Sequence, residues 1–313
     1  MKNKIGVILM TYGSATTAEG VREYMNHIFR GVASDVVVKD FERRYELVGH
    51  SPLIEITTNQ ARLLQDFLNV EDNDQYMVRA GMLHSGPFIG EAIRECKEGG
   101  AERCFGIILS PQFSSFIMEG YRAAFGRAAQ ECGFSKEQFS VLGPWPTEPH
   151  FIELLAKRVR TSLEKMQEKN SANVPVIFTT HSLPRRVVDK DPLYLDQLKL
   201  TTDAVLERLK DISIISYNAY QSAGHSPEEW LKPDLTDILL ELKQKKAEAV
   251  LIVPIQFLSD HLEILYDLDI AARKQCEDFG LAYHRIELPN SDTLFIQALG
   301  ALVKWGIGRN MQP

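Results

Sequence analysis

Cysteine is scarce and badly spaced for a metal or a cluster: Cys96, Cys104, Cys132 and Cys276 form no C-x-x-C pair. Four such thiols are a poor zinc or iron–sulfur set and read as reduced cytosolic cysteines. No G-x-G-x-x-G follows a strand-like run, and no G-x-x-x-x-G-K-[ST] occurs, so nucleotide binding through those loops is unsupported. A G-x-S-x-G elbow is also missing, which weakens a serine hydrolase reading. There is no histidine-rich tract. The longest apolar neighbourhood, AVLIVPIQFL at 249–258, is about half the length of a membrane span. The opening MKNKIGVILMTYGS has too short an apolar run for a secretion signal and no small-residue cleavage site. The expectation is a cytoplasmic protein without integral membrane association. A formal charge of −7 argues against a nucleic-acid partner, and any anionic ligand then needs a local basic patch. The segment 22–44 offers one in Arg22, His27, Arg30, Lys39, Arg43 and Arg44.

Strand-like and helical periodicities alternate along the 313 residues. Strands are expected at 4–10, 76–83, 103–109 and 139–143, with helices near 17–29, 53–69, 88–98 and 117–132. The pattern then repeats, with strands at 174–180, 212–218, 248–257 and 282–287 and helices near 149–168, 195–210, 234–245 and 259–278. A last helix covers about 292–306. Such alternation implies parallel sheets covered on both faces. The halves also match in detail. LSPQFSSFIMEGY (109–121) lies against VPIQFLSDHLEILY (253–266), pairing Gln112 with Gln256 and Glu119 with Glu263. LMTYGS (9–14) lies against FTTHSL (178–183), placing Tyr12 opposite His181. These matches imply two similar α/β lobes, 1–145 and 146–289, joined near GPWPTEP (143–149), with the C-terminal helix of 290–313 packing on the first. Open parallel sheets bind ligands beyond the carboxyl ends of their strands, where Tyr12, His84, His181 and Glu263 all fall.

The stretch VIFTTHSLP (176–184) is an apolar strand that stops on His181 without Gly, Asn or Asp to make a turn. Delivered into a cleft, that imidazole and the Glu263 carboxylate suit a divalent first-row metal, and the same pair could accept protons. Two ligands leave most coordination positions open, which fits a metal in transit. His84 reads as a satisfied core histidine. His261, two positions from Glu263 on an expected helix, reads as pointing to the surface, and Glu119 as structural.

Seven pieces in order, TYG (11–13), HIFRG (27–31), GHSPL (49–53), THSLP (180–184), DPLYLDQL (191–198), QSAG…EEWLKPD (221–234) and FLSDHLEILYD (257–267), make the chain resemble the ferrochelatases, class II chelatases, over nearly its whole length. The resemblance implies two Rossmann-like lobes, each a parallel sheet flanked by helices, with the active-site cleft between them. It implies insertion of Fe²⁺ into a porphyrin, with His181 and Glu263 as the catalytic, metal-side pair. Tyr12 would be an axial oxygen ligand on the opposite face, Arg30 and Ser51 would hold propionates, and Trp230 would line the cleft. No permanent cofactor and no iron–sulfur cluster are expected. A peripheral Mg²⁺ site near Asp267 loses a donor, because Ala271 stands where many relatives have a carboxylate. The cluster-free chain resembles the Gram-positive branch, whose substrate is coproporphyrin III and whose product is coproheme in heme biosynthesis. The partners implied are porphyrin and ferrous iron, with transient contact to neighbouring heme-pathway enzymes, and the chain would act as a monomer. The alternatives are a protoporphyrin IX ferrochelatase, a chelatase for cobalt or nickel, and a non-catalytic heme- or porphyrin-binding protein using the same cleft.

Overall fold

The strand-like runs assemble as two four-stranded sheets in a computed structural model, which describes residues 3–71, 74–167, 174–224 and 227–309. The first holds β1 (Lys4–Thr11), β2 (Gln75–Met82), β3 (Arg103–Ile108) and β4 (Phe139–Leu142), in the order β2-β1-β3-β4. The second holds β5 (Val176–His181), β6 (Ser216–Gln221), β7 (Ala249–Pro254) and β8 (Ala282–Arg285), in the order β6-β5-β7-β8. Every one of these strand pairs is parallel. The two sheets thus repeat one topology, and the α/β fold of two similar lobes is observed.

Parallel strands need crossover helices, and these cover both faces. In the first half they are α1 (Val21–Phe29), α2 (Asp35–Val48), α3 (Leu53–Glu71), α4 (Ile89–Glu98) and α5 (Ser115–Glu131). The second half has α6 (Pro149–Gln167), α7 (Arg185–Lys190), α8 (Leu193–Arg208), α9 (Leu235–Gln244) and α10 (Arg273–Phe279). A final α11 (Thr293–Arg309) packs on α3 and β4 of the first half and on α6 of the second. One buried cluster runs through both sheets, from Val7 and Phe105 across Leu64, Leu155 and Leu299 to Phe178 and Leu251. Burying each such side chain stabilises the fold by roughly 1.5–3 kcal/mol.

Three elements differ from the sequence-based expectation. Helix α2 falls in the segment that stood out for its charge. Ser34 caps it by accepting from Val37 N–H, while Val38 and Tyr45 supply its buried face. Strand β6 starts at Ser216 instead of 212, because its ladder opens where Val176 meets Ser216. Ile212 and Ile214 pack on the main core from the loop before it. The expected helix over 259–278 opens as a π-helix, Ile264–Ala272, before continuing as α10.

In the strand order found here the connections diverge on either side of β1 and of β5, which opens a crevice at the carboxyl ends of those two strands. Tyr12 follows β1, and His181 is the last residue of β5. The topology therefore brings these two residues to the cleft.

Candidate active site

His181 is held at every polar atom that can orient it. Its N–H donates to Gln256 Oε1 at 2.9 Å, and its carbonyl accepts from Tyr194 OH at 3.0 Å. Its Nδ1 lies 2.5 Å from Ser182 O. A carbonyl only accepts, so Nδ1 carries a proton and Nε2 is the ring nitrogen left to face the cleft. That Nε2 faces Glu263 Oε2 at 3.7 Å, with 30% of the His181 side chain and 35% of the Glu263 side chain accessible.

Glu263 also faces a second imidazole, His261 Nε2, at 3.8 Å. The ring of His261 is fixed by Nδ1 donating to Ser259 O at 2.9 Å. Residues 260 and 261 lie ahead of the first helical turn, which begins at Leu262, so two side chains two positions apart can converge. Helical spacing had pointed His261 to the surface, and the structure corrects that. Burial alone would raise the Glu263 carboxyl, but the imidazoles of His181 and His261, and then Arg44, hold it down at about 2. Burial would depress His261, yet the Glu263 carboxylate lifts it above the usual histidine range. Glu263 is therefore ionised near neutral pH, with two imidazoles against it. Among the described residues no group of three or more His, Cys, Asp or Glu is arranged to hold an ion.

After Glu263 the backbone widens into the π-helix, where Arg273 N–H reaches back five residues to Leu268 O. Such stretches are uncommon and recur at functional sites. The helix carries Asp267, whose carboxylate accepts from Ser222 Oγ and lies 3.5 Å from Arg44 Nη1. Burial raises the Asp267 carboxyl, with the Ser222 hydroxyl opposing the rise and Glu263 adding to it. Arg44 also pairs with Asp40 at 2.8 Å and stacks 5.0 Å from the Tyr266 ring centre, while Arg43 donates to Tyr266 OH at 3.1 Å. These two arginines tie α2 to the π-helix. A cavity of about 530 Å³ is lined by Gln221, Ser222, Asp267, Ala271 and Lys274 among others and has neither His181 nor Glu263 in its wall.

The facing wall comes from the first lobe. Tyr12 is 44% exposed, and its ring lies 4.4 Å from that of His84. Burial, and then the Glu263 charge, raise the phenol above its ordinary value. His84 is half-buried, with Nδ1 at 3.1 Å from His27 Nδ1, so it belongs to this wall and not to the core. Desolvation, the neighbouring His27 and the Arg30 charge depress it to about 4. Arg30 closes α1 in a left-handed conformation, φ 51°, with its side chain exposed.

Two expected contacts sit differently. Ser51 is 2% exposed and accepts from Ser14 Oγ at 2.8 Å, beside Tyr45 OH, so its hydroxyl is engaged inside the wall and does not face the cleft. Trp230 is half-buried beside Pro184, three residues past His181 in the chain: Leu231 N–H bonds Leu183 O at 3.0 Å, and Trp230 pairs with Pro184. A Cβ on Gly224 would come within 2.7 Å of the Trp230 ring, so glycine there makes room for the indole.

The cleft thus sets an oriented imidazole and an ionised carboxylate against a tyrosine, and its relatives are metal-inserting proteins. The ferrochelatase family model matches residues 4–306. A coproporphyrin III ferrochelatase from Anoxybacillus flavithermus is 35% identical over 308 residues, 96% of each chain. One from Bacillus subtilis is 33% identical over 313 residues, covering 98% of this chain and 99% of its own. Among solved structures, SirB from Bacillus subtilis with Fe³⁺ shares the fold at a TM-score of 0.56 and 12% identity, over 97% of this chain and 95% of its own. CbiX, from siroheme biosynthesis in denitrifying bacteria, does so at 0.58 and 11%, over 97% and 99%. On these matches and on that cleft, the chain belongs to the ferrochelatase family.

Proposed function

We propose that the cleft inserts Fe²⁺ into coproporphyrin III to give coproheme. The observation that carries the reading is His181, tethered at Nδ1 by Ser182 O, with its Nε2 3.7 Å from the ionised Glu263 carboxylate. Insertion breaks two pyrrole N–H bonds, forms the iron–nitrogen bonds and leaves the iron ferrous. Two protons must therefore be accepted for each ion delivered. His181 Nε2 takes the first pyrrole proton and passes it to the Glu263 carboxylate, which frees Nε2 to take the second. Tyr12 offers a neutral oxygen to the iron from the other face. The substrate nitrogens hide their lone pairs while the ring is flat, so peripheral binding energy must go into puckering it. Contacts between the lobes keep the cleft stiff enough for that, with Gln60 Nε2 donating to Ser259 Oγ at 3.0 Å and Gln112 Nε2 to Thr201 Oγ1 at 2.9 Å. Both walls come from one chain, so a monomer suffices.

Coproporphyrin III is favoured because the curated relatives carry it in their names. Its four propionates need cationic donors at the mouth, and Arg30 is exposed there, whereas Arg43 and Arg44 are engaged with Asp40, Asp267 and Tyr266. The test is anaerobic mixing with Fe²⁺ and either porphyrin, followed by absorbance. Metallation of coproporphyrin III should be faster than that of protoporphyrin IX, and should vanish in His181→Ala while porphyrin binding persists. A preference for protoporphyrin IX would overturn the substrate assignment, and an active His181→Ala would overturn the site.

A further inference from the structure

The motif DPLYLDQL, residues 191–198, has no part in the chemistry above, yet its polar groups converge on the site. Tyr194, on the first turn of α8, is 1% exposed. Its hydroxyl lies 3.0 Å from His181 O and 3.1 Å from Gln256 Oε1. Both partners are carbonyl oxygens, so the phenol proton is the donor they share. Gln256 Oε1 also accepts from His181 N–H at 2.9 Å. The main chain of His181 is thus gripped on both sides of its Cα, while Ser182 O holds the ring.

The same helix reaches the first lobe. Gln197 Oε1 accepts from Phe113 N–H at 2.7 Å, and Thr201 Oγ1 accepts from Gln112 Nε2 at 2.9 Å. Asp191, just ahead of α8, accepts from Ser115 Oγ at 2.7 Å. The internal repeat makes the specialisation visible. Gln112 joins the lobes, whereas its counterpart Gln256 serves His181. The difference follows the residue each repeat brings to the cleft, Tyr12 in one and His181 in the other.

We propose that Tyr194 is a positioning residue for metallation, acting from α8 through Gln256 to fix the His181 main chain and hence the place of Nε2 relative to Glu263. This rests on His181 being the metal-side base. Tyr194→Phe keeps the ring packing and removes the shared donor. It should lower kcat about tenfold, a loss typical of one or two hydrogen bonds in the transition state, with KM for coproporphyrin within about twofold. The ¹⁵N NMR signals of the His181 ring should shift, which a purely structural tie elsewhere in the core would not cause. Unchanged kcat with unmoved His181 signals would overturn the proposal, as would a KM that rises as much as kcat falls. Should Tyr194→Phe fail to fold, Gln256→Glu and Gln256→Leu decide. The glutamate keeps an acceptor for His181 N–H and Tyr194 OH and should retain turnover that the leucine loses, and equal turnover in the two would overturn the proposal. An inactive His181→Ala beside a fully active Tyr194→Phe sinks this inference alone, whereas an active His181→Ala sinks the site assignment beneath it.

Discussion

Glu263 and Glu119 occupy the same place in the two repeats, but only Glu263 has imidazoles against it; Glu119 is exposed on α5. Glu263→Gln should therefore lower kcat by at least about a hundredfold, in the range of a lost acid–base group. Glu119→Gln should change it by no more than about twofold, as for a surface substitution. Steady-state kinetics on the pair checks both, and a larger loss at Glu119 would refute the asymmetry. His84 gives a pH prediction. The unfolded chain binds its proton near 6.5 and the folded chain only near 4, so the unfolded state holds the extra proton in between. Stability should fall as pH drops through that window. Urea midpoints should show the slope, and His84→Gln should flatten it; an unaltered slope counts against the assignment. Strand-end residues such as Tyr12 and His181 were legible in the sequence because a parallel sheet exposes its carboxyl edge. His261 was not, since its convergence with Glu263 depends on where a helix begins, a boundary that periodicity cannot locate to one residue.

At the scale of elements, the strands and most helices could be read from apolar periodicity, because buried parallel strands such as AVLIVP leave little ambiguity. The π-helix could not, since ILYDLDIAA has the apolar spacing of an ordinary helix and its wider turn is set by what it packs on. Helix α2 was hidden by its own charge: Arg43 and Arg44 drew attention as ligand donors, whereas they join α2 to Tyr266 and Asp267 of the π-helix. Ala271 is exposed at the wall of the outer cavity, with Asp267 in the same wall. Ala271→Glu should thus create a divalent-cation site, with Mg²⁺ binding on the order of millimolar or tighter by calorimetry. The new carboxylate must share Asp267 with Ser222 and Arg44. No gain over the parent protein would show that those bonds hold Asp267 too firmly.

On the scale of the molecule, the two lobes share one apolar cluster that includes residues of both sheets and α11. They should unfold together, with near-ultraviolet signals from Trp145 in that cluster and from Trp230 beside Pro184 changing at one urea concentration. Two separated transitions would show that each lobe stands alone. The Ser182 carbonyl on His181 Nδ1 has a consequence for traffic through the cleft. An imidazole tethered by one nitrogen cannot turn over to pass a proton out behind itself. A proton that arrives on Nε2 must depart from Nε2, on the side where Glu263 stands. On the proposed reading one Fe²⁺ enters for every two protons that leave, so a full cycle moves no net charge into the protein. Under that reading the site would work as an electroneutral exchanger, its carboxylate relieved of the outgoing protons before the next ion takes their place.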